Sequence, residues 1–264
     1  MAKTTSLDKR PNNRIAVGTV AKKVSLLKRV ASGDLSSSLE MLRQALADPS
    51  PTVRGQAVLL ISEHGLTDAL PQVARLLRDK SEDVRYDAAE CVGLLQKGTG
   101  AIHPALRSLL SDKSALMRAQ AAESLALIGD RGALRRIARL LSDRDPIVRS
   151  YAAGAIADLQ GSAYTKRIEG ALAKEKHELA RVGLLEAAFR FGKRGALGEL
   201  LGLLTSRDYH VRCSVANVVE FLRLTPSERT LAIDALKRAA RKPLVFADAS
   251  TVKRVLEALE KRGA

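Results

Sequence analysis

The sequence predicts an all-α solenoid of about seven antiparallel helix pairs, and three observations predict it. One short pattern recurs along the chain: an acidic residue, a short linker, an apolar residue, Arg, then small apolar residues. Between the copies, leucines recur at three- and four-residue spacing, the period of a helix with one buried face. The composition fits close helix packing, with 46% hydrophobic residues, only 3% aromatic and no Trp among 264 residues.

The elements follow in order. Residues 1–16 are basic and polar and are expected to form a flexible arm, with 17–264 as a single solenoid. Residues 1–30 carry eight cations against Asp8 alone, a large share of the net charge of +15. The pattern itself reads DPSPTVRGQAV, DKSEDVRYDAA, DKSALMRAQAA, DRDPIVRSYAA and EKHELARVGLL, with a sixth copy, SRDYHVRCSVA, that puts Ser206 at the acidic position. Its arginines are Arg54, Arg85, Arg118, Arg149, Arg181 and Arg212, separated by steps of 31, 33, 31, 32 and 31 residues. A degenerate seventh copy, STVKRVLEALE, has Lys253 in the Arg position. The repeats are therefore expected at roughly 34–64, 65–97, 98–129, 130–161, 162–192, 193–224 and 225–264.

Each period divides in two. Stretches such as LPQVARLLRD and LRRIARLLSD supply a first helix, and the Val-Arg pair opens a second that runs through Ala-Ala to Leu or Ile. Asp and Ser precede the second helix as caps, Pro51 and Pro146 stand where a helix start tolerates proline, and glycines such as Gly65, Gly129 and Gly161 punctuate the ends.

These residues resemble the short HEAT-like repeats, including those of the phycobilisome-lyase type, over roughly Asp34 to Gly263. The resemblance implies a right-handed superhelix that serves as an interaction surface, with the second helices lining its concave face. Two enzyme types of similar architecture, HEAT-like DNA glycosylases and bilin lyases, give an alternative activity. The glycosylases use Trp and Asp in a basic cleft, whereas this chain has no Trp.

The acid six residues before each Arg is Asp48, Asp79, Asp112, Asp143 or Glu175. Acid and base recurring together are expected to form a structural ladder, with Arg54, Arg85, Arg118, Arg149, Arg181 and Arg212 as its cations. Function belongs instead to positions that vary. One, two, five and eight or nine residues after each Arg stand Tyr86, Asp87, Glu90, Gln120, Glu123, Tyr151, Asp158, Glu186, Asn217 and Glu220. This mostly acidic set is the expected concave binding face for a protein partner, such as a basic peptide or helix. The bases crowd the first helices and the arm. Lys9, Arg10, Arg14, Lys22, Lys23, Arg135, Arg136 and Arg139 are the candidate contacts for nucleic acid or another anion, the alternative function.

Chemistry-bearing motifs are missing from the chain. His64, His103, His177 and His210 fall at different repeat positions with no HxxxH or CxxC companion, so no metal and no other cofactor is expected. No apolar run is long enough to cross a bilayer, and the N-terminus lacks the apolar core of a secretory signal. With only Cys91 and Cys213, several repeats apart, a disulfide is not expected and a cytoplasmic setting fits. The sequence thus favours a non-enzymatic scaffold or adaptor and leaves its oligomeric state open.

Overall fold

The computed structural model describes residues 18–31, 35–95, 100, 102–241 and 246–261, and every regular element among them is helical. The fold is all-α, as the leucine spacing predicts. The chain divides into two compact units, Met1–Gln96 and Lys97–Ala264.

The first unit contains α1 (Val20–Ala31), α2 (Leu35–Ala45), α3 (Pro51–Glu63), α4 (Leu70–Val73) and α5 (Glu82–Leu95). Helix α3 is the hub, packed against α1, α2 and α5. It buries Val53, Ala57 and Ile61 at four-residue steps, and α5 does the same with Val84, Ala88 and Val92, the spacing that stacks side chains on one helix face.

The second unit repeats this pairing. First helices α6 (His103–Leu109), α8 (Leu134–Ile137), α10 (Thr165–Leu172), α12 (Ala196–Gly202) and α14 (Pro226–Ala240) alternate with second helices α7 (Ala115–Leu127), α9 (Pro146–Asp158), α11 (Glu178–Arg190), α13 (Tyr209–Phe221) and α15 (Phe246–Lys261). The first helices pack on the second, and the second helices form a row in which α7 meets α9, α9 meets α11, α11 meets α13 and α13 meets α15.

Several first helices are shorter than the leucine spacing suggests. After α4 the chain tightens into a 3-10 segment at Ala74–Arg78, and after α12 into another at Leu203–Thr205. The i→i+3 bond from the Asp79 N–H to the Leu76 carbonyl, repeated from Asp143 to Leu140, closes the last turn early and aims the acid at the linker. Second helices end on a left-handed residue, Gly129 after α7 but Gln160 after α9. The neighbouring Gly161 serves space instead, because a Cβ there would meet Leu134 Cδ2 at 2.8 Å.

Both ends of the array differ from the expectation. Helix α1 carries Lys23, 31 residues before Arg54, so the periodic row of cations starts one step before Arg54. At the other end Lys253 is exposed, and Arg254 beside it reaches back from α15 to α13. The expected arm over 1–16, with Lys9, Arg10 and Arg14, lies outside the described residues. No described helix is long and apolar enough to cross a membrane.

Candidate functional site

Two kinds of charged arrangement share the second helices. At the start of each helix the repeated Arg binds forward and backward at once. Arg118 donates from Nε and Nη2 to the two carboxylate oxygens of Asp143 at 2.8 and 2.7 Å, while Nη1 holds the carbonyls of Asp112 and Lys113 at 2.9 and 3.2 Å. Arg54 treats Asp79 in the same way, at 2.8 and 2.7 Å, and Arg149 binds Glu175 at 2.6 and 3.0 Å. Arg85 and Arg212 grip their own turns through the carbonyls of Asp79 and Ser206. The rungs of Arg54, Arg118 and Arg149 therefore join one repeat's helix to the next repeat's turn.

The acids also accept backbone N–H groups two residues on, Asp48 from Ser50 and Asp112 from Ser114. Burial pushes the carboxyls of Asp79, Asp143 and Glu175 up, but the guanidinium and backbone hydrogen bonds outweigh it and hold them below the usual range. Lys23, expected among the anion contacts, stands in a rung instead, its Nζ 2.7 Å from Asp48. Lys22 remains exposed. Ser206 cannot replace a carboxylate, so Arg181 turns to the exposed Glu199 at 2.7 Å.

Further along the same helices the surface changes character. In the second unit, α7, α9, α11 and α13 together line a groove of about 410 Å³. Five of the residues expected at a binding face meet there: Glu123, Tyr151, Asp158, Glu186 and Asn217. Gly183 sets the depth, because a Cβ on it would lie 2.3 Å from the Ser150 carbonyl, so only glycine lets α11 approach α9 this closely. Arg190 donates to Asp158 at 2.6 Å and to Glu186 at 3.1 Å, one cation serving two acids. Burial raises the Glu186 carboxyl, and Asp158 adds to this against the opposing pull of Arg190.

The matched family now decides the class. The model for HEAT repeats matches residues 39–104 and 102–188, more than half of the sequence. The chain belongs to the HEAT-repeat family. No curated protein matches it. Among solved structures it is similar to the complex of CpcE and CpcF of phycocyanin lyase from Nostoc sp. PCC7120, with 16% identity, 83% of this chain and 94% of that chain covered, and a TM-score of 0.59. A mutant Kap121p is similar at 15% identity and a TM-score of 0.59, over 91% of this chain and 32% of that one. At such identities these likenesses show the HEAT fold alone.

Within this HEAT framework some expected face residues are not at the surface. Gln120 is buried and its amide donates to the Ser124 hydroxyl at 3.2 Å. Glu220 is buried beneath Arg254, which also bonds Asn217 at 2.7 Å. In the seams between second helices the position two after an Arg meets the position one after the Arg of the preceding repeat at two places, Gly183 against Ser150 and Asp87 against Gly55. Tyr86, Asp87 and Glu90 are half-buried on α5 in the first unit. Burial, then Glu90 and Asp83, push the Asp87 carboxyl up to about 6.

Phe221 is the residue that sequence reasoning missed. It is 76% exposed at the groove. It lies nine residues after Arg212, a position the helical spacing allows, beside Glu220 eight residues after it. The bases also separate into two groups. Arg107, Lys193, Arg194 and Lys237 are paired with Asp130, Glu169, Glu228 and Glu260, whereas Arg135, Arg136 and Arg139 are exposed and make no ion pair among the described residues. No described cluster of His, Cys, Asp and Glu could hold a metal, and Cys91 and Cys213 are free thiols.

Proposed function

We propose that this chain is a protein-interaction scaffold or adaptor that holds a basic, amphipathic segment of a partner protein in the second-helix groove of its second unit. The observation that carries the reading is the juxtaposition of Asp158 and Glu186, two acids on a single Arg190, with the exposed ring of Phe221. A partner Lys or Arg would complete the charge, and an apolar neighbour would cover Phe221 and Tyr151. Aromatic anchors flanked by charge are a common arrangement at protein interfaces.

The test is titration of defined helical peptides with alternating Arg and Leu against the full chain, followed by fluorescence anisotropy. Phe221→Asp combined with Asp158→Lys should weaken binding at least tenfold while thermal unfolding stays unchanged. Equal binding by the variant, or a preference of the native chain for acidic peptides, would overturn the reading. A partner captured from cells should then be lost by the same double variant.

A further inference from the structure

The first helices of the second unit carry a second charged surface, unlike the groove in sign and in composition. Residues 131–144 hold five cations against one acid, and 162–176 hold four against two. The second helices Pro146–Asp158 and Glu178–Arg190 are by contrast evenly balanced. The excess sits on α8, α10 and the turns after them, at Arg135, Arg136, Arg139, Lys166, Arg167 and Lys174. All six are exposed, and none makes an ion pair or a side-chain hydrogen bond among the described residues. The acids nearby are engaged already: Asp143 with Arg118, Glu175 with Arg149 and Glu169 with Lys193.

The edge of this layer adds a row that the pattern search did not isolate. The residue after the ladder acid, or after Ser206 in its place, is Lys113, Arg144, Lys176 and Arg207 in four successive periods of the unit, and each is exposed. The ladder fixes the backbone beneath two of them. Arg118 holds the carbonyl of Lys113 at 3.2 Å and Arg149 that of Arg144 at 3.1 Å. The cations thus project from pinned turns, one per repeat, at the ~10 Å step of packed helices. Between the layer and this edge lies a depression of about 510 Å³ with Gly170 and Ala171 among its lining residues and Arg167 and Lys174 beside them. A Cβ on Gly170 would meet nothing within 4 Å, so the approach is open.

The geometry points to this first-helix face of the second unit as a docking surface for the phosphate backbone of double-stranded nucleic acid. Four of these six cations are arginines, whose forked donors match phosphate oxygens. A lipid surface is a poorer fit, because none of the large exposed apolar side chains lies in 131–144 or 162–176, and insertion into a bilayer needs them. The lack of exposed aromatic rings there also disfavours stacking on unpaired bases. Contact is then to the backbone, without sequence preference.

The experiment is a salt titration of the full chain binding a DNA duplex of random sequence. The native chain should bind at low salt. Arg135→Gln, Arg136→Gln, Arg139→Gln and Arg167→Gln together should weaken binding at least tenfold and reduce the slope of log K against log salt by about 3 to 4. Lysine at the same four positions should retain binding, which separates charge from packing. Neutralising Lys9, Arg10 and Arg14 in the N-terminal segment should leave most of the affinity. The proposal is overturned by absence of duplex binding at low salt, by an unaffected quadruple variant, or by binding to phosphatidylserine vesicles or polyglutamate with none to the duplex. Peptide binding in the groove is read separately and stands or falls without it.

Discussion

Carboxylates on this chain are shifted in opposite directions according to where they stand on the repeat. In the turns, Asp79 and Asp143 sit below the usual range because an Arg from the preceding repeat meets both oxygens. On the second helices, Asp87 and Glu186 are raised, since burial is not matched there by an equal share of cation. Turn acids therefore stabilise the stack in their charged form, and helix acids are held charged at a cost that a basic partner would relieve. The same residue type thus gains from its neighbours in one place and is strained by them in the other.

The largest effect should come from breaking a rung. Arg118→Ala leaves Asp143 half-buried beside the gap and should destabilise the chain by about 3–5 kcal/mol in chemical denaturation. Replacing both partners, Arg118→Met with Asp143→Leu, should recover much of that loss, because no uncompensated charge remains.

Next in size, and opposite in sign, is Asp87→Asn. With a folded pKa near 6 against 3.8 unfolded, the folded state binds the extra proton between these values, so stability falls as pH rises through that window. The Asn variant should be more stable than the native chain by up to about 3 kcal/mol at neutral or higher pH. The two should converge near pH 4, checked by urea titration at both ends. Equal stability at high pH would show that Asp87 stands in ordinary solvent.

The smallest effect is expected at Arg181→Ala. Its partner Glu199 is exposed rather than seated in a turn, and the loss should stay below about 1 kcal/mol. A loss as large as that at Arg118 would mean that the turn carbonyls, and not the carboxylate, carry the rung.

Much of the architecture was legible because period and polarity repeat. Six arginines at nearly constant steps fix the second helices, and the acid that precedes five of them points to a rung before any geometry is known. The Lys23 rung escaped detection because lysine stands for arginine and no acid precedes it, although its 31-residue step to Arg54 was countable. The groove was half legible. Helical spacing brings Tyr151, Asp158 and Glu186 to one side, but it does not tell that Gln120 is buried with its amide on the Ser124 hydroxyl. Phe221 depends on where α13 ends. Whether a base is paired, as Arg107 is and Arg135 is not, depends on neighbours far away in sequence.

Ser206 marks a change in the ladder. The bidentate clamp that runs from Arg118 to Glu175 is replaced between α11 and α13, where Arg181 meets Glu199 and the carbonyls of Leu172 and Glu175 while the Ser206 hydroxyl donates to Glu178 at 2.5 Å. That joint carries Glu186 on one side of the groove and Phe221 on the other, so the groove spans a junction where a hydroxyl stands in the place of the carboxylate.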